Sequence, residues 1–237
     1  MNLLLLQTEN MLSDHLAEIS GRQVQHINET LNVVEGNTLT VGLVNNKIGR
    51  ATLLELTKDK AKLDIKWLSP PPKALPLTLI IGLPRPKMLK RIIQTASTMG
   101  VKELYFINSW KVEKSFWQTP WLSAEKLLEN CILGLEQAKD TVMPNIHLRK
   151  LFKPFVEDEL AEISKDSLKL LAHPVTDNAC PADIQTQTTL VIGPEGGFTP
   201  YEVGKLEEVG FETVHLGKRI LRVETAVPVL LARLFQF

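Results

Sequence analysis

No stretch of this sequence approaches the ~20 consecutive apolar residues of a bilayer-crossing helix, so a membrane span is not expected. Leu3 to Leu6 is too short for the apolar core of a secretion signal and has no basic segment before it. It reads instead as a first buried strand. Cysteine is scarce. Cys131 and Cys180 are the only two, and neither has a CxxC or CxxH neighbourhood. That pattern excludes a zinc site and a disulfide framework, and predicts buried free thiols, no bound metal and a cytoplasmic protein. An excess of either charge is also missing, because 27 basic residues balance 27 acidic ones. A zero net charge argues mildly against a surface built to coat nucleic acid. There is no Ser-His-Asp motif, no phosphate loop, no internal repeat and no low-complexity tract.

The charge that is present is unevenly distributed. No acidic residue lies between Trp67 and Lys102, whereas Lys73, Arg85, Lys87, Lys90, Arg91 and Lys102 all fall there. A polyanion site is therefore expected near this stretch. With 44% hydrophobic and 23% charged residues, the 237-residue chain has ordinary globular composition and room for two modest domains.

Ser69-Pro70-Pro71-Pro72-Lys73-Ala74-Leu75-Pro76 marks a seam, since prolines lack a backbone donor and favour extended geometry. The predicted organisation is a small domain at 1–68, a linker at 69–76 and a larger domain at 77–237. Before the seam, strands are expected at Thr38–Val44, Gly49–Thr57 and Ala61–Trp67, bounded by turns at Gly36-Asn37, Asn45-Asn46 and Lys58-Asp59-Lys60, as in a small β-barrel or sandwich. Short helices are expected at Asp14–Ile19 and Gln23–Thr30. After the seam, strands and helices alternate. Strands are expected at Leu77–Ile81, Leu104–Ile107, Ile146–Leu148, Leu168–Ala172, Leu190–Ile192 and Thr213–His215, with helices at Pro86–Met99 and Ser123–Lys139. This alternation predicts an α/β fold, a mostly parallel sheet with helices on both faces, whose ligands bind beyond the carboxyl ends of the strands.

Two segments carry the chemistry. In the first, the strand ending at Ile192 runs into Gly193-Pro194-Glu195-Gly196-Gly197-Phe198, and Thr199-Pro200-Tyr201-Glu202 then has the cap, proline and glutamate of a helix start. Glycines there let backbone N–H and C=O groups approach a ligand closely. The second, Leu216-Gly217-Lys218-Arg219-Ile220-Leu221-Arg222-Val223-Glu224-Thr225-Ala226, follows the next strand and precedes a helix over Val227–Leu234. The strands before the two loops are expected to be neighbours. Arginine in such a loop suits a planar carboxylate, a phosphate or a base edge.

Together the two segments resemble the paired signature of the ribosomal small-subunit methyltransferase E family of the SPOUT superfamily, whose members methylate N3 of a uridine in 16S ribosomal RNA. The resemblance implies a PUA-like β-barrel, then an α/β domain with a trefoil knot at its C-terminal end, working as a homodimer on ribosomal RNA or the small ribosomal subunit. It implies S-adenosylmethionine as cofactor, held by Ile192, Gly193, Pro194, Glu195, Gly196 and Gly197 from the first loop. Leu216, Gly217, Ile220, Leu221, Arg222, Glu224, Thr225 and Ala226 would form a second edge, and Ala172 and His173 a third. The RNA-facing candidates are Arg22, Arg85, Lys87, Lys90, Arg91 and Arg219. The first helix departs from the family pattern, reading Lys87-Met88-Leu89-Lys90-Arg91 where the family has lysine followed by Met-Glu-Trp.

Uridine N3–H is a weak acid and attacks best as its anion. Arg222 or Arg219 can stabilise that anion, and Glu195 or Glu224 can take the proton. Arg222, Glu224 and Glu195 are thus the catalytic candidates, with His173 a rival base. Three other readings remain open: a SPOUT methyltransferase acting on another nucleotide, a non-catalytic RNA-binding relative, and an unrelated α/β enzyme for a small phosphorylated substrate. Cofactor binding separates the second from the first. Finally, Val229, Leu230, Leu231, Leu234 and Phe235 wrap more than one face of the last helix, which predicts apolar surface left over for a partner copy.

Overall fold

The computed structural model describes residues 2–31 and 33–236. The chain forms two compact units, one of residues 1–73 with 132–143, the other of residues 74–131 with 144–237.

The first unit is a curled five-stranded sheet in the order β1-β3-β4-β5-β2. Its strands are β1 (Leu4–Leu6), β2 (Leu16–Ser20), β3 (Thr38–Leu43), β4 (Ile48–Leu56) and β5 (Lys60–Ser69). β5 shows why the sheet curls around a core on one side. Ala61, Leu63 and Ile65 are buried, whereas Lys60, Lys62, Asp64 and Lys66 between them are exposed, the two-residue period of a half-buried strand. β1 and β2 are the outer strands, so the sheet is a half-barrel rather than a closed barrel. The helix expected at Asp14–Ile19 is instead strand β2, paired antiparallel with β5 from Leu16↔Asp64 to Ser20↔Lys60. The reason is alternation: Ala17 and Ile19 point into the core and Glu18 and Ser20 do not. α1 (Arg22–His26) continues into a π-helical turn at Ile27–Leu31, matching the second expected helix.

Glu136 is 1% exposed in this unit and is held by donors from two elements. Its carboxylate accepts from Arg22 Nη2 at 2.7 Å and Gln23 Nε2 at 3.3 Å, with the Leu5 N–H at 3.5 Å. A buried carboxylate is tolerable only with such partners. Arg22, an RNA-facing candidate from sequence, is therefore drawn into an internal ion pair.

The second unit is an all-parallel six-stranded sheet in the order β11-β9-β10-β6-β7-β8. Its strands are β6 (Leu77–Gly82), β7 (Glu103–Ile107), β8 (Asn145–Arg149), β9 (Leu168–Ala172), β10 (Thr188–Ile192) and β11 (Glu212–Val214). Every residue of β6 and β10 is buried, as expected for central strands covered on both faces. The helices are α2 (Pro86–Thr98), α3 (Ala124–Ala138), α4 (Phe152–Pro154), α5 (Leu160–Ile163), α6 (Pro200–Glu208) and α7 (Val223–Leu234). The last part of α3, from Ile132, belongs with the first unit. One face of the sheet presents Ile80, Tyr105, Ile107, Leu171 and Val191 to Phe155, Leu160 and Leu206. The alternate residues Leu79, Ile81 and Leu190 point to the opposite side, where α2 and α7 pack against each other.

The surplus of apolar surface expected on the last helix is not found. Leu230, Leu231, Leu234 and Phe235 are all buried by the chain itself, leaving Val229 exposed. No helix among the described residues is long and apolar enough to cross a membrane.

Both cysteines are buried and unpaired, and burial pushes each thiol up to about 11. Since the thiolate is the reactive form, neither should react with an aromatic disulfide reagent near neutral pH. Both should react once denaturant is added. Rapid labelling of the native protein would contradict this packing.

Candidate functional site

β10 ends at Ile192, and the glycine-rich turn that follows is fixed from several sides. Glu202, 3% exposed, forms a reciprocal cap at the start of α6. Its Oε2 accepts from the Thr199 N–H at 2.8 Å and from the Thr199 hydroxyl at 2.9 Å. Its other oxygen accepts the Trp110 N–H at 2.7 Å, so one carboxylate ties the loop after β10 to the loop after β7. Glu195 reaches the other way and accepts the Arg85 N–H at 2.9 Å, at the start of α2. Lys111 Nζ donates to the Gly196 carbonyl at 2.8 Å.

Two glycines are required here by geometry. Gly197 has φ +69°, where a side chain is strained. A Cβ at Gly82, the end of β6, would stand 2.6 Å from the Pro194 nitrogen, so only glycine lets β6 and the turn approach this closely.

The second loop follows β11. His215 Nδ1 accepts the Gly217 N–H at 2.8 Å and closes a tight turn, in which Gly217 has φ +119°. Between the two loops lies β9, not a direct β10–β11 contact as expected from sequence. The end of β9 therefore forms the middle of the site. His173 follows it, donating its N–H to the Val214 carbonyl at 2.9 Å. Its Nδ1 accepts the Val175 N–H at 3.2 Å, which gives the ring a turn-forming role.

These loops surround a cavity of ≈ 550 Å³, a size suited to a small ligand. Ala172, His173, Ile192, Gly193, Pro194, Glu195, Gly196, Gly197, Leu216, Gly217, Ile220, Leu221, Arg222 and Ala226 all line it. Glu224 and Thr225, two further candidates from sequence, do not. Both sit in the first turn of α7, and the helical period explains the split. Val223, Ala226 and Leu230, spaced by three and four residues, face the cavity, which turns Glu224 and Thr225 away from it. Glu224 instead borders an open cleft with Arg91, Gln94, Thr95, Thr98 and Met99 of α2 and its C-terminal end.

Arg219 also lines the cavity. Among the described residues, neither Arg219 nor Arg222 makes an ion pair within the chain, and both are exposed. The RNA-facing candidates of the acid-free stretch do not line the cavity. Arg85 and Lys87 stand exposed at the start of α2, Lys90 lies 5.4 Å from the centre of the Trp121 ring, and Arg91 borders the open cleft. Sequence reading missed Lys111, Pro174, Val175, Phe198, Val214, His215, Val223 and Leu230 as lining residues. Phe198, His215 and Val223 lay in or beside the two motifs, and Leu230 carried a helical spacing from Ala226. No cluster of His, Cys, Asp or Glu among the described residues could hold a metal ion.

A family model described as an RNA methyltransferase domain matches residues 71–235, which contain the whole cavity. The chain belongs to that family. Its similarity to ribosomal RNA small subunit methyltransferase E of Treponema pallidum is 29% identity over 233 residues, covering 95% of this chain and 87% of the relative. The same fold occurs in a ribosomal RNA small subunit methyltransferase E from Neisseria gonorrhoeae bound to S-adenosyl methionine, with a TM-score of 0.77 and 24% identity over 98% of this chain and 95% of that one. It occurs also in a Legionella pneumophila protein in complex with the same cofactor, with a TM-score of 0.78 and 23% identity over 98% and 95% of the two chains. The family resemblance carried by the two loops of this RNA methyltransferase thus extends over nearly its whole length.

Replacing Glu202 by Ala leaves the Thr199 and Trp110 N–H groups without their acceptor. Chemical denaturation should show a loss of about 2–3 kcal/mol, against less than ~0.5 kcal/mol for Glu207→Ala on the exposed side of α6. Equal losses would mean that the bridge does not hold the loops.

Proposed function

We propose that this RNA methyltransferase uses S-adenosylmethionine to methylate N3 of a uridine in 16S ribosomal RNA of the small subunit. The observation that carries the reading is the cavity, which joins glycine-rich backbone, apolar walls and unpaired arginines. Ile192, Leu216, Leu221 and Leu230 offer a nonpolar slot of the kind an adenine ring needs. The Gly193–Gly197 and Leu216–Gly217 segments bring backbone to the cavity wall, where groups not used within the turns can hydrogen-bond the polar ends of such a ligand. The residues present therefore fit the cofactor. When bound, it supplies an electrophilic methyl group on a sulfonium.

The rest of the chemistry falls to side chains of this chain. Arg222 and Arg219, with no internal carboxylate to neutralise them, can stabilise negative charge spread over uracil O2 and O4. Glu195 is the carboxylate at the cavity. One of its oxygens is engaged by the Arg85 N–H, which leaves the other to accept the N3 proton. Glu224 lies outside the cavity, so it is not the base within one chain. Holding base and methyl donor in line supplies much of the remaining acceleration.

The proposal includes the family's further features: a half-barrel unit that binds RNA, a knotted C-terminal crossing, and a homodimer acting on ribosomal RNA or the small subunit. Light scattering should give the dimer mass at micromolar concentration; a monomer there removes the dimer from the account.

Titration calorimetry should show the native protein binding S-adenosylmethionine with a Kd of the order of micromolar. Ala226→Phe, which fills the cavity, should abolish binding, whereas Thr225→Ala outside it should not. Arg222→Ala should bind cofactor yet lose about 10²-fold in methyl transfer to small-subunit RNA. No cofactor binding would contradict the proposal, and binding without any transfer would favour the non-catalytic RNA-binding relative.

A further inference from the structure

Trp110 is 85% exposed, the largest exposure of any large hydrophobic side chain among the described residues. The other tryptophans are engaged. Trp67 Nε1 donates to the Asp14 carbonyl at 3.0 Å, Trp117 Nε1 to Asn108 Oδ1 at 2.9 Å, and Trp121 lies under Lys90 and Lys126. Leaving an indole in water forgoes the stabilisation that burying its apolar area would bring. The backbone beneath it, by contrast, is held firmly. Ser109 and Val112 are buried on either side, and the Trp110 N–H is bonded to the buried Glu202 carboxylate at 2.7 Å. An exposed aromatic on a fixed turn is a preorganised platform rather than a loose side chain.

Its position gives it a partner. The next residue, Lys111, lines the cavity and donates to the Gly196 carbonyl, while Trp110 itself does not line it. The same cavity is lined by Arg219 and Arg222, both exposed and without an ion-pair partner among the described residues. An exposed aromatic one residue from the lining of a cavity that also carries unpaired arginines offers the two elements that bind single-stranded nucleic acid, where bases stack and the backbone meets cations.

We infer that Trp110 is a stacking platform for a base of single-stranded RNA, the base of a nucleotide next to the one that enters the cavity. The inference rests on the proposed RNA-methylating role of the cavity. The indole contributes face-to-face contact open to any base, so it strengthens binding and fixes the strand's path without reading sequence.

The test uses a fluorescein-labelled, uridine-rich single-stranded RNA of about 12 nucleotides, within the site sizes such grooves cover, followed by anisotropy with the full chain. Trp110→Ala should weaken binding about tenfold or more, and Trp110→Phe should stay within about threefold of the native protein, because each stacked base contributes about 1–3 kcal/mol. The slope of log affinity against log salt should be unchanged in Trp110→Ala, whereas Arg219→Ala should flatten it by about 0.7. Cofactor affinity, measured by calorimetry, should be the same in both Trp110 variants. That measurement separates the two levels: lost cofactor binding in the native chain would defeat the proposed function, while RNA affinity still reports on the platform. Equal RNA affinity for the native protein and Trp110→Ala would overturn the inference. So would no RNA binding by the native chain, or a Trp110→Ala variant whose only change is a loss of self-association.

Discussion

The geometry of the site depends on a single buried carboxylate that faces two loops at once. Glu202 closes the cap of α6 through Thr199 with one oxygen and holds the Trp110 N–H with the other. At 3% exposure it has no water to satisfy it, so these donors are a condition of its burial rather than a decoration. The turn from Gly193 to Phe198 is thereby pinned at its end, while Gly82 lets β6 press against Pro194 at its beginning. A loop rich in glycine would otherwise be mobile, and a mobile loop makes a poor ligand cradle.

The sheet supplies the rest. Because β9 lies between β10 and β11, the loops after these strands rise on either side of the Ala172–His173 edge and leave a gap between them. That gap is the cavity, at the carboxyl ends of a parallel sheet, where open α/β folds bind their ligands. Its interior is apolar and its rim carries arginines that have no ion-pair partner among the described residues. The neutral net charge of the chain therefore does not argue against an RNA substrate. What matters locally is that no described residue neutralises Arg219 or Arg222.

Much of this was legible in the sequence, for identifiable reasons. β6 and β10 are continuous apolar runs because both faces are covered, and the α6 cap is a local motif whose parts lie within three residues of one another. The two glycine- and arginine-bearing loops were legible as a pair. β2 was not, because a five-residue strand with two buried side chains owes its conformation to pairing with β5, more than forty residues away. Strand order was not legible either, since parallel neighbours are joined by long crossovers that leave no trace in local pattern. Glu224 and Thr225 were placed at the site by their motif, but the helical turn beginning at Val223 rotates them out while Ala226 turns in. The supposed surplus on α7 failed for the opposite reason: both of its apolar faces are used, within one chain. The half-exposed Arg22 became a structural partner because the carboxylate it meets is distant in sequence.

The central claim is that the loops after β9, β10 and β11 form one cofactor cradle, preformed by Glu202. Amide hydrogen exchange with and without S-adenosylmethionine tests it most directly. The account predicts added protection confined to residues 172–175, 193–198 and 215–222, with the Thr199 and Glu202 amides already protected in the free protein. Protection elsewhere, or Thr199 and Glu202 amides that exchange freely until the cofactor is added, would contradict it.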